Sequence, residues 1–338
     1  MMKMYKMMFI SLLMMSTLIS ISAYTWLGMW IGLEINLLSI IPILKDKSIL
    51  SSESSIKYFI TQAIASTIIM MSMIMMMWKF NFSSMINSNS SILMIMNSGL
   101  ILKMGMAPLH FWFPEVMEGL NWNNCMLMLT WQKITPMMLI MYNIEFSIFY
   151  SMIIISSMII SSIMSINQIS IRKLMTFSSI NHMGWMMSGM LTEKTTWMVY
   201  FIVYTITTIN ITLMMKNIFY LNQLFPTLNN SPSMKMFFML NFMSLSGIPP
   251  FLGFLPKWMV IQTLIENKMF MLTLIMIIFT LIMIYVYMRI IMTSLIMKSN
   301  QPNWNLKLNL KINKISISML NFVSMMSLIL VTIMMNTI

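Results

Sequence analysis

Two stretches decide how this chain is built: Gly105-Met106-Ala107-Pro108-Leu109-His110-Phe111-Trp112-Phe113-Pro114 and Gly247-Ile248-Pro249-Pro250-Phe251-Leu252-Gly253-Phe254-Leu255-Pro256. Gly, Pro and Pro coincide at one offset, 247 − 105 = 142 residues. Each stretch lies inside an apolar run of about 30 residues, 91–120 and 234–266. That is too long for a single bilayer-spanning helix, which needs about 20. Pro removes an N–H and clashes with the preceding turn, and Gly admits backbone that other residues avoid. Both runs are therefore predicted as interrupted helices, broken near 105–109 and 247–251. The same offset sets Tyr58-Phe59-Ile60 on Tyr200-Phe201-Ile202.

The chemistry around these runs fixes their solvent. Of 338 residues 59% are hydrophobic and only 8% charged, and the mean hydropathy is +0.82. A soluble domain carries about a quarter charged residues, so the bilayer is the consistent environment. The alternating short strands of a barrel are absent, leaving helices as the spanning solution. A single cysteine, Cys125, excludes a disulfide framework, a thiolate zinc site and a self-contained iron–sulfur cluster. The formal charge of +12 sits in short loops and not on one soluble face, which argues against nucleic acid. Met is over-represented, at 53 residues on every face. In many animal mitochondria ATA encodes Met, so an AT-rich mitochondrial gene is the expected source. The N-terminus has no Arg-rich presequence, as expected of a protein made inside the organelle.

Apolar runs between polar punctuation give about eleven spans in an all-α integral membrane fold. Their limits are 5–23, 26–44, 55–78, 91–120, 123–143, 147–166, 173–191, 196–218, 234–266, 269–290 and 315–336. An offset of five spans reverses direction, so 5–143 and 147–290 read as two inverted five-helix repeats, followed by a C-terminal helix. The whole of 1–338 is then one membrane domain. Charge tests the count. One side collects Lys3, Lys6, Lys45, Lys47, Lys57, Arg172, Lys173, Lys216, Lys235, Arg289, Lys298, Lys307, Lys311 and Lys314, and the other only Lys79, Lys194 and Lys268. The positive-inside rule makes the basic side the matrix, with the N-terminus in the matrix and the C-terminus in the intermembrane space.

Glu34, Lys103, Lys133 and Lys257 remain inside the spans. Each charge costs about 3 kcal/mol to insert. Snorkelling fits Lys103 and Lys133 poorly, since each lies about ten residues from a span end, and fits Lys257, just past its break, better. An opposite charge favours the protonated form of a buried amine. Glu34 and Lys103 are therefore expected to form a buried ion pair that gates proton passage toward Lys133, or a static bridge that fixes packing. His110 and His182 could each relay protons or serve as packing residues. Glu115 and Glu118 fall near the matrix end of the fourth span, on an access path or a solvated helix end.

No nucleotide-binding loop, Cys-x-x-Cys or nucleophile elbow is present. The segments Trp26–Asn36, Lys103–Glu115, Trp131–Pro136, Ser178–Trp185 and Gly247–Trp258 resemble the mitochondrially encoded second subunit of NADH:ubiquinone oxidoreductase (respiratory complex I), from an insect or related invertebrate. The resemblance covers nearly the whole chain. It implies an antiporter-like membrane-arm subunit of the mitochondrial inner membrane, in a short form lacking three N-terminal helices. It implies a Glu34–Lys103 pair, Lys133 as central relay and Lys257 as distal relay. No cofactor is expected in this chain, NAD, FMN, iron–sulfur clusters and ubiquinone belonging to the wider complex. The expected partners are other membrane-arm subunits, neighbouring antiporter-like subunits among them, and lipids. A free-standing cation/proton antiporter would share the repeats and the buried lysines, and a structural subunit with an inactive channel is a third reading.

Overall fold

The structure, a computed structural model, describes residues 2–46, 48–80, 89–144, 147–216, 218–224, 232–249 and 251–296. The expected C-terminal helix 315–336 lies outside the described residues. Those residues are helical, with one isolated antiparallel bridge, Ser170 to Tyr220. The chain divides into two compact units, Met1–Ile153 and Ile154–Ile338.

The first unit holds α1 (Met2–Ser22), α2 (Trp26–Leu44), α3 (Ile49–Phe80), α4 (Asn89–Met104), α5 (Trp112–Gly119), α6 (Trp122–Leu129), a 3-10 turn (Trp131–Lys133) and α7 (Ile134–Met141). Thr25 starts α2, its hydroxyl accepting from Gly28 N–H at 3.2 Å. This satisfies one of the N–H groups that every helix start leaves free. α1 and α2 pair, α3 packs on α2, α4 and α5, and α7 packs on α1 and α4. The helix α8 (Ser147–Ser165) runs across the boundary between units.

The second unit continues with α9 (Ile171–Thr192), α10 (Lys194–Met214), α11 (Pro232–Ser246), α12 (Phe254–Glu266) and α13 (Phe270–Ile296). α9 packs with α10, α12 and α13, and α10 with α11 and α12. Almost every residue of α9 is buried. A helix surrounded by protein has no lipid-facing side to keep apolar, and α9 carries Ser178, Ser179, Asn181 and His182 in its middle. Many buried hydroxyls close locally, as Ser161 Oγ does on Met158 O (3.1 Å) and Ser178 Oγ on Met175 O (2.8 Å). This meets the need to satisfy polar groups where no water is at hand.

Among the described residues six helices are long and apolar enough to cross a membrane: Met4–Ser22, Trp26–Leu44, Ile49–Trp78, Ile148–Ser165, Lys194–Met214 and Phe270–Ile296. The expected fourth and ninth spans are interrupted where the sequence places the breaks, between α4 and α5 and between α11 and α12. One expectation needs correcting. The fifth span, read as a single helix over 123–143, is split into α6, the 3-10 turn and α7. Pro136 has no N–H to offer the Gln132 carbonyl, and its ring crowds that carbonyl. The turn before it tightens, with Lys133 N–H donating to Thr130 O at 3.3 Å.

Within each unit, polar contacts tie the helix ends together. In the first, Lys6 bridges Asp46 at 2.9 Å and Lys57 bridges Glu115 at 3.1 Å. Asp46 also accepts from Asn121 at 2.6 Å and Asn124 at 3.3 Å. In the second, Arg289 donates to Ile166 O, and Ile171 N–H donates to Phe219 O at 3.0 Å.

Candidate functional site

The two breaks open with the same turn. Gly105 has φ +70° and Gly247 φ +75°, a left-handed conformation in which a side chain is strained. Gly105 N–H donates to Leu102 O (3.1 Å) and Met106 N–H to Ile101 O (3.3 Å). Gly247 N–H donates to Ser244 O (3.1 Å) and Ile248 N–H to Met243 O (3.5 Å). These paired bonds are the Schellman ending of a helix, with Gly at the position after the cap. Side chains add to this capping. Trp112 Nε1 is a second donor to Leu102 O, and Gln62 Nε2 donates to Lys103 O, each at 3.2 Å. At the second break Lys257 Nζ donates to Ser246 O at 2.7 Å.

Each intramembrane lysine thus sits at a break. Lys103 is the penultimate residue of α4, Lys133 closes the 3-10 turn, and Lys257 turns its ammonium back onto the end of α11. Lys103 is 8% exposed and Lys133 2%. The Lys133 ammonium lies 5.4 Å from the centre of the Phe113 ring, within range of a cation–π contact. Lys257 is half-buried, its ammonium bonded to the α11 terminus.

Lys103 borders a small polar cavity lined by Asn36, Tyr58, Gln62, Gln132 and Thr135, with space on the order of one water. Its walls are bonded together. Gln132 Nε2 donates to Asn36 Oδ1 at 2.9 Å, and Tyr58 Oη to Gln132 Oε1 at 3.5 Å. Sequence reasoning singled out charges and passed over these neutral groups. A usable signal was present in Tyr58 and Gln62, four residues apart on one face of an apolar helix.

The expected direct ion pair does not form. Glu34 and Lys103 make no salt bridge, and Glu34 Oε1 is buried with no hydrogen-bond partner among the described residues. The face of α2 turned to the cavity carries Leu33, Asn36 and Leu37. Glu34, one residue on from Leu33, is rotated about 100° from it.

His110 lies in the first break, 2% exposed, with Nδ1 3.2 Å from Pro108 O and its ring 4.6 Å from that of Phe111. His182 lies in α9, its Nδ1 2.9 Å from Tyr200 Oη. Glu115 is exposed and bridged to Lys57, as a solvated helix end would be.

The family described as NADH:quinone oxidoreductase/Mrp antiporter, TM, matches residues 23–284. NADH-ubiquinone oxidoreductase chain 2 of Anopheles gambiae is 48% identical, over 96% of this chain and 96% of its own. The protein of the same name from Locusta migratoria is 44% identical, over 96% and 95%. In fold, the chain is similar to a chain of respiratory complex I from Thermus thermophilus, with a TM-score of 0.83 at 17% identity over 96% of this chain and 78% of that one. It is also similar to a chain of the Mrp complex from Dietzia sp., with a TM-score of 0.72 at 13% identity over 83% and 59%. The chain belongs to the NADH:quinone oxidoreductase/Mrp antiporter membrane family, among its NADH-ubiquinone oxidoreductase chain 2 members.

Proposed function

We propose that the chain is a core membrane-arm subunit of mitochondrial NADH:ubiquinone oxidoreductase, moving protons through buried lysines in response to electron transfer in other subunits. One observation carries this reading: Lys103, Lys133 and Lys257 all sit at helix breaks. A helix break inside a membrane leaves backbone groups that need protein or water beside them. An amine placed there has partners for its charged form and a route by which water can reach it. Lys103 lines the cavity of the Asn36–Gln132–Tyr58 cluster, Lys133 follows Gln132 directly in sequence, and all share one unit. Glu34 is buried without a salt bridge to Lys103, which suits a gate better than a strut.

The reading includes a multi-pass chain of about eleven spans in two inverted five-helix repeats. The basic ends face the matrix, as does the N-terminus, and the C-terminus faces the intermembrane space. Neighbouring membrane-arm subunits are the partners, and the redox cofactors lie in other chains. A free-standing cation/proton antiporter would use the same fold. Identities of 44–48% to proteins named for the oxidoreductase favour the first reading.

Lys103→Met in the assembled complex tests the function. The complex is expected to accumulate and reduce quinone, with fewer protons moved per electron pair. Unchanged pumping in a fully assembled complex would reduce Lys103 to a packing role.

A further inference from the structure

The helices α10 and α11 pack on one another, and their interface carries two amides that the packing leaves unused. Asn210 of α10 is 3% exposed, and neither its Oδ1 nor its Nδ2 has a hydrogen-bond partner among the described residues. Asn241 of α11 is 1% exposed. Its Nδ2 lies 2.9 Å from Met214 Sδ, a weak acceptor, and its Oδ1 has no partner among the described residues. Met214 joins the two amides. It follows Asn210 by four residues, on the same face of α10, and a helical side chain covers the turn before its own Cα. The thioether that Asn241 touches therefore lies over the turn of Asn210.

Nothing in the fold demands amides at this crossing. Counting back the offset of 142 residues from Asn210 and Asn241 gives Ile68 and Gly99 of the first unit. There α3 and α4 meet through apolar atoms: a Cβ on Gly99 would lie 3.4 Å from Ile68 Cγ2 and 2.8 Å from Ile69 Cγ1. A buried amide left unbonded costs free energy that an apolar side chain would not. A water has two donors and two acceptor sites, and can bond to both amides at once. The place also matters. Asn241 precedes Ser246 by five residues, about 7 Å along the helix, and Ser246 O holds the Lys257 ammonium at 2.7 Å. We propose that Asn210 and Asn241 form a water-binding site between α10 and α11, from which water reaches the Lys257 ammonium. Both are positioning residues: the amides do not titrate, and they act through the water they hold. The proposal rests on the proton-translocating reading above.

Two measurements test it. A high-resolution cryo-EM map of the intact complex needs no variant. Density for water within hydrogen-bond distance of Asn210 and Asn241 is expected, and amides bonded wholly to protein groups, with no water beside them, overturn the site. The second measurement is the number of protons moved per electron pair by the assembled complex in sealed inner-membrane vesicles. Asn210→Leu and Asn241→Leu keep the volume and remove the amide. Each is expected to lower the ratio while uncoupled quinone reduction persists. Asn210→Ser, whose hydroxyl can still hold water, is expected to recover most of the ratio lost by Asn210→Leu. No recovery by the serine assigns the loss to packing and overturns the proposal. Lys257→Met in the same vesicles separates the two levels of argument. A lowered ratio for Lys257→Met beside full ratios for both leucine variants overturns the water site alone. Full ratios in all three overturn the translocating reading itself. If Asn241→Leu does not accumulate, Asn210→Leu and the map decide the matter by the same criteria.

Discussion

Glu34 and the three lysines were legible in the sequence because charge inside an apolar run is costly and conspicuous. Their neighbours were not, since Asn36, Gln62 and Gln132 are neutral and their role depends on which way each helix is turned. Rotation also decided the one misjudged contact, where Leu33 and not Glu34 faces the cavity. Glu34→Gln keeps the volume and removes the charge. The complex should assemble, and proton movement per electron pair should fall, as read by acidification outside sealed vesicles. The break glycines give a second prediction at this scale. A Cβ on Gly247 would lie 2.9–3.0 Å from the Lys257 side chain, and one on Gly105 3.0 Å from Phe113 Cβ, whose ring faces Lys133. Gly247→Ala adds about 1–2 kcal/mol of backbone strain and displaces the ammonium from Ser246 O. Lowered thermal stability of the complex together with reduced pumping is the expected pair of results. A stable, fully pumping Gly247→Ala complex would show that the Lys257 position is not critical.

Among the elements, both Gly/Pro breaks were readable because their cause is local: glycine supplies the left-handed turn and proline stops the helix beyond it. The third break was missed because Pro136 alone reads as a kink, and only the backbone shows the helix giving way at Thr130–Lys133. Pro136→Ala tests that cause. It restores an N–H for the Gln132 carbonyl and removes the ring clash. Residues 130–134 should then join one continuous helix, with slower amide hydrogen exchange there. Lys133 should rotate out of register, and pumping should fall even though the helix is better formed. A straightened helix with full pumping would detach the break from function. α9 teaches a related lesson. It is 22 residues long and spans about 33 Å at 1.5 Å per residue. It is absent from the six apolar crossings because burial inside its unit frees it from lipid.

At the scale of the whole molecule, the proposed orientation rests on the distribution of basic residues in the sequence, and Cys125 makes it testable. That cysteine is the only one in the chain and is buried, so a thiol placed elsewhere labels without background. Asn167→Cys lies in the loop before α9, and Glu193→Cys between α9 and α10; both positions are exposed. A membrane-impermeant maleimide should reach the first from the matrix side only and the second from the intermembrane-space side only. The reverse pattern would invert the topology. The central claim is that buried amines at helix breaks carry protons in step with electron transfer elsewhere, and Lys133 is the most deeply buried of them. The most direct measurement is the number of protons moved per electron pair by a fully assembled Lys133→Met complex in sealed inner-membrane vesicles. The account predicts normal assembly and uncoupled quinone reduction with a clearly lowered ratio. An assembled Lys133→Met complex with the unaltered ratio would contradict it.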